Sequence, residues 1–213
     1  MRVHFWGPLY TTLAARPYLR RKREGRVVNI ASIGGRISVP HLLPYSASKF
    51  ALVGLSDGLR AELVRDGIHV TTVSPGLMRT GSAFNALFRG KQKLEFNLFT
   101  VLDTVPITSI GAEEAARQIV EACRHGDPEL TITVVAQLMA KANAIMPGIT
   151  ARVMQLTSAI LPKATGGEGD VLKTGWESQI PKLVHSPLLQ PNFDAAERNN
   201  ELDSGLIDGR ITR

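Results

Sequence analysis

Short, continuous apolar runs recur along the chain and are separated by longer stretches in which apolar residues follow a helical period. Three of the short runs are rich in β-branched residues, which is typical of strands buried in a parallel sheet, and they lie at 26–32, 68–74 and 129–135. Apolar residues at steps of three and four predict helices at 9–22, 46–67 and about 112–124. We expect the apolar segment 75–110 to be largely loop. The alternation of strands and helices predicts an α/β fold with a doubly wound parallel sheet.

Three segments follow from this pattern. Residues 1–135 are predicted to form the α/β domain, residues 136–161 a helical extension broken at Pro147-Gly148, and residues 162–213, rich in Gly, Pro and Asn, an irregular tail. The apolar extension is interrupted by Lys141 and Arg152, so we do not expect it to span a membrane. A lid, a packing arm and a contact with a membrane surface all remain open for this segment.

Composition narrows the class of protein. The chain has 213 residues, of which 44% are hydrophobic and 21% charged, as in a globular protein. The one cysteine, Cys123, excludes an internal disulfide and fits a cytoplasmic location. The net charge is +6, and basic residues cluster at 20–26. We interpret this cluster as the C-terminal end of a helix followed by Gly25, and we expect no nucleic-acid partner because no binding motif accompanies the charge.

Tyr45 and Lys49 are the first candidates for chemistry. They stand four residues apart in YSASK and therefore share one face of the predicted helix, the face that also carries Leu52 and Leu63. A cation on a buried face needs a partner or a purpose. A nearby ammonium favours the phenolate form of tyrosine, which makes the pair a plausible proton donor and acceptor. Taken alone, a Tyr-x-x-x-Lys pattern is more often a tyrosine at a helix start with a lysine whose ammonium reaches water.

Further polar residues follow the ends of the neighbouring strands. Ser32 ends the first strand, and the next strand ends in Ser74-Pro75-Gly76 and leads to Thr80. Ligands of open α/β sheets bind at the carboxyl ends of the strands. Together with Tyr45 and Lys49, these residues predict a ligand site at that edge.

Three ordered motifs carry a family resemblance. NIAS at 29–32, YSASKFALVGLSDGLRAEL at 45–63 and VSPGLMRT at 73–80 resemble the motifs of the short-chain dehydrogenase/reductase family, and the resemblance extends from about residue 3 to 135. It implies a Rossmann-type sheet and hydride transfer between a nicotinamide cofactor and a small-molecule alcohol or carbonyl compound. The sequence does not distinguish NAD from NADP as the cofactor. Two- and four-subunit assemblies are common in the family, which leaves a homo-oligomer open for this chain.

The resemblance also implies residue roles. Tyr45 would donate or accept the proton of the substrate oxygen, Lys49 would support it and bind the nicotinamide ribose, and Ser32 would orient the substrate oxygen. Pro75, Gly76 and Thr80 would bind the cofactor together with Tyr45 and Lys49. His4 stands where the family usually has an asparagine that supports a proton relay. It would either take over this relay or merely fill the space.

The chain also departs from the family's pattern. A Gly-rich turn after a first strand is missing from the sequence, and GGEG at 166–169 follows no predicted strand. We therefore expect the chain to be the back part of a longer enzyme, with Met1 an internal methionine. Two alternatives remain, namely a noncatalytic or dimerising remnant without cofactor binding and an epimerase or dehydratase of the same family.

The substrate prediction rests on the segment between Thr80 and Ile110. Its apolar side chains predict an apolar pocket under a mobile lid, and hence a hydrophobic alcohol or ketone, unless they belong to an ordinary core. They are Phe84, Leu87, Phe88, Phe96, Leu98 and Phe99.

Overall fold

The computed structural model of the protein describes residues 1–163, 166–167, 171–178 and 189–201. The chain forms two compact units. Unit 1 comprises Met1–Gly76 and Glu114–Ile160, and unit 2 comprises Leu77–Glu113 and Leu161–Arg213. The units differ from the predicted segments, because residues 77–113 group with the C-terminal part of the chain.

The regular elements are numbered here in chain order. The strands are β1 (Gly25–Ile30), β2 (Ile68–Pro75), β3 (Leu77–Arg79), β4 (Leu87–Phe88), β5 (Ser109–Gly111), β6 (Glu129–Ile132) and β7 (Lys173–Thr174). The α-helices are α1 (Gly7–Lys22), α2 (Leu43–Leu63), α3 (Ser82–Asn85), α4 (Gln92–Thr104), α5 (Ala112–His125), α6 (Val134–Ile145), α7 (Pro147–Ile160) and α8 (Gln190–Arg198). A π-helical turn, Arg2–Trp6, precedes α1, and 3-10 turns lie at Ile33–Gly35, Val64–Asp66 and Trp176–Ser178.

Unit 1 is built on a three-stranded parallel sheet in the order β1-β2-β6. Val27 of β1 pairs with Val70 of β2, and Thr72 of β2 pairs with Glu129 of β6. The carboxyl ends of the three strands therefore lie at one edge of the sheet. The predicted α/β fold with a parallel sheet is confirmed.

Helix α2 packs on this sheet through the predicted leucine stripe. Leu59 and Leu63 are buried against Ile68 and Val70 of β2, and Leu52 is buried two turns before Leu59. Burying each such side chain contributes about 1.5–3 kcal/mol. The stripe holds α2 across β1 and β2, and so it fixes the position of the residues in the first turns of α2.

The basic cluster ends α1, as the sequence predicted, but glycine does not close that helix. Arg23, not Gly25, takes the left-handed conformation, with φ 53°. Gly25 instead begins β1, where a β-carbon would lie 2.8 Å from side-chain atoms of both Leu19 and Ile68. Two arginines of α1, Arg16 and Arg20, pair with Asp66 after α2.

The helical extension consists of α6 and α7. The break lies at Met146, and Pro147 is the first residue of α7, a position where a missing backbone N–H costs nothing. Within the described residues, no helix is both long and apolar enough to cross a membrane.

Unit 2 contains more regular structure than the sequence predicted. Residues 75–110, expected to be largely loop, include the 13-residue helix α4 and strands β3, β4 and β5. The buried face of α4 carries Thr100, Asp103 and Thr104 beside Phe96. Because three of these four residues are polar, the apolar period that announces a helix is weak in this stretch.

The segment 162–213 was predicted to be irregular, yet its described part contains α8. Phe193 of α8 packs against Phe84 in a tilted arrangement with 4.5 Å between ring centroids, and Trp176 stacks on the same ring at 5.0 Å. These aromatic partners are far apart in the sequence, so a local pattern could not reveal the core that holds α8. Residues 164–165, 168–170, 179–188 and 202–213 of this segment lie outside the described residues.

Asp103 makes the stability of unit 2 sensitive to rising pH. Its side chain is buried on α4, and its Oδ2 atom has no hydrogen-bond partner among the described residues. Burial raises the pKa of Asp103 from its ordinary value to about 7. The folded state therefore favours the protonated acid, and ionisation above that pH destabilises unit 2.

We expect the free energy of unfolding to fall as the pH rises from about 4 to about 7, because the folded state binds the Asp103 proton more tightly than the unfolded state does. Asp103→Asn should flatten this dependence, while Asp194→Asn on the exposed side of α8 should leave it unchanged. Denaturant titrations across this pH range measure the effect. Identical slopes for Asp103→Asn and the wild type would contradict the assignment.

Candidate functional site

Tyr45 and Lys49 lie on successive turns at the start of α2. The Lys49 side chain is only 9% exposed, and its Nζ atom lies 5.7 Å from the centroid of the Tyr45 ring. The ammonium donates a hydrogen bond of 3.0 Å to the backbone oxygen of Ile30, the last residue of β1. Lys49 thus reaches from the helix to the carboxyl end of the first strand.

The Lys49 ammonium is buried without a carboxylate partner. Among the described residues it forms no ion pair, and burial alone lowers its pKa from the ordinary value for lysine. An ammonium carries three hydrogen-bond donors, and the bond to Ile30 uses one. The remaining donors suit an oxygen-rich ligand at this position.

Ser32 lies beside the Tyr45 ring. Its Oγ atom accepts a hydrogen bond of 3.0 Å from the backbone N–H of Gly34 and so caps the 3-10 turn after β1. A β-carbon on Gly34 would lie 3.1 Å from Cε1 of Tyr45 and 3.5 Å from Oγ of Ser32. The serine hydroxyl and the tyrosine ring therefore meet around Gly34, where a larger side chain would push them apart.

Gly35 fixes the same turn against α2. A β-carbon there would lie 2.7 Å from the backbone oxygen of Lys49, which a real side chain cannot do without displacing the helix. The glycine pair 34–35 is thus what allows the Ser32 turn to approach Tyr45 and Lys49. The sequence contains both glycines, but it did not predict that they pack against Tyr45, Ser32 and the Lys49 backbone.

His4 approaches the site from the π-helical turn. Its Nδ1 atom lies 2.7 Å from Oγ of Ser48, and the Ser48 hydroxyl donates its proton to the backbone oxygen of Tyr45 at 2.7 Å. Since that proton is used, Nδ1–H of His4 must be the donor to Ser48. The imidazole ring also meets the Tyr45 ring edge to face at 5.6 Å.

Three effects lower the pKa of His4 and so favour its neutral form. Burial is the largest cause, and the positive charges of Lys49 and of the Met1 amino group lower the pKa further. A neutral ring with a proton on Nδ1 leaves Nε2 as an acceptor. Ser48 links His4 to the backbone of Tyr45 through two hydrogen bonds, whereas the sequence indicated only a small side chain at this position.

Pro75 and Gly76 end the neighbouring strand. The N–H of Gly76 donates to the backbone oxygen of Ile132 in β6 at 3.0 Å, and a β-carbon on Gly76 would collide with Oγ1 of Thr133. The Oγ atom of Ser74 is buried here without a hydrogen-bond partner among the described residues. The carboxyl ends of β2 and β6 are therefore in close contact.

Thr133 is a residue that the sequence did not single out. Its backbone has φ 78°, which is strained for a β-branched residue, and its Oγ1 accepts from the N–H of Ala136 at the start of α6. This cap ends β6 at Ile132, three residues before the predicted end of the strand. A threonine in such a conformation leaves no signal in a sequence.

The structure thus gathers His4, Ser32, Tyr45 and Lys49 around the first turns of α2. Thr80 belongs to unit 2, where its buried hydroxyl lies 2.6 Å from that of Ser82. In the described part of the chain, no group of three His, Cys, Asp or Glu side chains is arranged to hold a metal ion.

Comparison with known proteins bears on this arrangement. The model of the short chain dehydrogenase family matches residues 1–87, the part that contains His4, Ser32, Tyr45 and Lys49. The chain is also 30% identical over 185 residues to dehydrogenase/reductase SDR family member 7B of Xenopus laevis, covering 86% of this chain and 55% of that protein. The chain belongs to the short-chain dehydrogenase/reductase family.

Other family members give the same picture. An SDR family protein 7-like dehydrogenase/reductase of Anopheles gambiae is 42% identical over 87 residues, which cover 41% of this chain and 27% of that protein. A short-chain dehydrogenase of Burkholderia cenocepacia, solved in complex with NADP, superposes with a TM-score of 0.57 at 28% identity, covering 71% of this chain and 56% of that one. The chain spans about half the length of the vertebrate relatives that it matches.

The coupling between Lys49 and His4 gives a testable prediction. Lys49→Met removes the positive charge that lowers the His4 pKa, so this pKa should rise toward its ordinary value. Nitrogen-detected NMR of the imidazole rings should report the rise and show the proton on Nδ1 in the neutral form.

The matched control is Lys22→Met, which removes an exposed lysine from the last turn of α1. It should leave the His4 titration unchanged. A His4 pKa that is the same in the wild type and in Lys49→Met would show that the two groups are not coupled.

Proposed function

We propose that this chain carries the catalytic centre of an NAD- or NADP-dependent oxidoreductase that interconverts an alcohol and a carbonyl compound. The observation that carries the proposal is the buried Lys49 ammonium, which lies beside the Tyr45 ring and has no carboxylate partner among the described residues. A purely structural lysine would need such a partner to offset the cost of burial. A ligand that uses the free donors offers another compensation.

Tyr45 is the proposed proton donor and acceptor. Its side chain is 37% exposed although it stands next to the buried Lys49, so a substrate can reach its hydroxyl. In the reducing direction the hydroxyl gives its proton to the substrate oxygen, and the adjacent ammonium stabilises the phenolate that remains. In the oxidising direction the phenolate takes the proton from the alcohol.

Ser32 is proposed to orient the substrate oxygen. Its Oγ atom already accepts from the N–H of Gly34, so its own proton is available for a second oxygen. Gly34 lies against both Ser32 and the Tyr45 ring, and the substrate oxygen is proposed to bond to both hydroxyls. His4 is proposed to take part in proton transfer through its neutral ring.

A nicotinamide cofactor, when bound, supplies or takes up the hydride. Lys49 would hold its ribose hydroxyls through the free ammonium donors, and the orphaned Ser74 hydroxyl is a further donor at the same sheet edge. Pro75 and Gly76 are proposed to line the cofactor, on the strength of the family resemblance, and the cofactor role of Thr80 stays a prediction. The choice between NAD and NADP stays open.

We propose an alcohol or carbonyl substrate without the restriction to hydrophobic compounds that the sequence suggested. Phe84 and Phe96 are fully buried in the core of unit 2, and Phe88 and Phe99 pack against that core. Four of the six side chains expected to line an apolar pocket therefore serve packing, and the argument for a hydrophobic substrate is lost. The cytoplasmic location stays a prediction, and a homo-oligomer stays open.

Replacement of Tyr45 by phenylalanine tests the proposed role directly. Tyr45→Phe should lower kcat by roughly two to four orders of magnitude, the usual contribution of a general acid or base. Oxidation and reduction of the nicotinamide, followed by its absorbance with a panel of alcohols and ketones, measures the rate. Cofactor binding and thermal unfolding of the variant should match the wild type.

The matched controls are Tyr10→Phe and Tyr18→Phe, which remove hydroxyls from exposed tyrosines of α1. Both should keep wild-type rates. A folded wild-type chain that binds neither NAD(H) nor NADP(H) would instead favour the noncatalytic alternative. Turnover of a sugar nucleotide without net change of the nicotinamide would favour an epimerase or dehydratase.

A further inference from the structure

Helix α7 presents an uncovered apolar stripe. Ile149, Val153, Leu156 and Ile160 follow one another at steps of four, three and four residues, so they line one face of the helix. Their side chains are 48–84% exposed, and no residue of α7 is buried. Large apolar side chains in a continuous exposed row mark an interaction surface.

Helix α6 carries a second stripe with the same spacing. Val134, Leu138 and Ile145 are 63–77% exposed and lie on one face of the helix. The position between Leu138 and Ile145 on this face is occupied by Lys141, which is also exposed. We call the helix pair α6–α7 (residues 134–160) the apolar hairpin.

The charges of the apolar hairpin are all positive. It carries Lys141 and Arg152 and contains no acidic residue, and the chain has no Asp or Glu between Glu129 and Glu168. In the part of the chain that the structure describes, neither Lys141 nor Arg152 has an ion-pair partner. The charge thus favours a negatively charged partner.

We infer that the apolar hairpin binds the surface of an anionic lipid bilayer. Apolar rows on a helix can lie in the boundary between headgroups and acyl chains, and basic residues beside them attract acidic headgroups. The position of Lys141 within the apolar row favours a bilayer over a protein interface as the partner. In a bilayer its long stem buries among acyl chains while its ammonium reaches the phosphates, whereas a protein interface would have to supply a carboxylate.

A second copy of the same hairpin is a poorer partner for this reason. Pairing two identical surfaces would bring Lys141 and Arg152 of both copies together, and the hairpin offers no carboxylate to neutralise them. The inference is independent of the proposed function, because no residue of the catalytic centre takes part.

Sedimentation with lipid vesicles tests the inference on the 213-residue chain. The wild type should bind vesicles that contain phosphatidylglycerol and should bind vesicles of pure phosphatidylcholine much more weakly. Ile149→Gln combined with Leu156→Gln should weaken binding by about tenfold or more, because two side chains lose their apolar burial. Lys141→Gln combined with Arg152→Gln should remove the preference for phosphatidylglycerol.

The matched control replaces two equally exposed apolar residues elsewhere, Val64→Gln and Ile107→Gln, and should bind as the wild type does. All substituted positions are exposed, and thermal unfolding checks that each variant is folded. Absence of vesicle binding by the wild type, or equal binding by the stripe variant, overturns the inference. Sedimentation velocity without lipid tests the alternative partner, a second copy of the chain. If the wild type self-associates but does not bind vesicles, and Ile149→Gln combined with Leu156→Gln abolishes the self-association, the surface belongs to a second copy.

Discussion

The buried ammonium of Lys49 is the constraint on which the proposed catalytic centre depends. A charge held in the protein interior without an opposite charge raises the free energy of the folded state, and here its partners within the described residues are the backbone oxygen of Ile30 and the Tyr45 ring. The same placement puts the charge beside the Tyr45 ring and lowers the His4 pKa. The buried Lys49 ammonium thus acts on both Tyr45 and His4 at the carboxyl end of β1.

Close backbone approaches hold this arrangement in place. Gly34 and Gly35 let the Ser32 turn touch the Tyr45 ring and the α2 backbone, and Gly76 leaves room for the Thr133 side chain. The strained backbone of Thr133 ends β6 and starts α6. At this edge of the sheet an added β-carbon on any of these glycines would displace its neighbours. Such close packing agrees with a site in which the distances between reacting groups must be fixed for proton transfer.

The sequence predicted the parts of the molecule whose signals are local. The spacing of Tyr45, Lys49 and the leucine stripe specified a helix with one buried face, and β-branched runs specified the parallel strands. It failed where neighbours in space are distant in the chain. Helix α4 was not predicted because its buried face carries polar residues, and α8 was not predicted because the aromatic core of unit 2 holds it in place. The strained backbone at Thr133 could not be predicted from the residue type.

The central claim is that Lys49 is buried to serve a ligand and not the fold, and Lys49→Met tests it in one comparison. Calorimetric titration with NADH and NADPH, paired with denaturant unfolding of the same samples, measures both quantities. The account predicts that the variant loses cofactor affinity by about tenfold or more while its unfolding free energy stays equal or rises, because an uncompensated buried charge has been removed. A variant that binds the cofactor like the wild type and unfolds more easily would contradict the account.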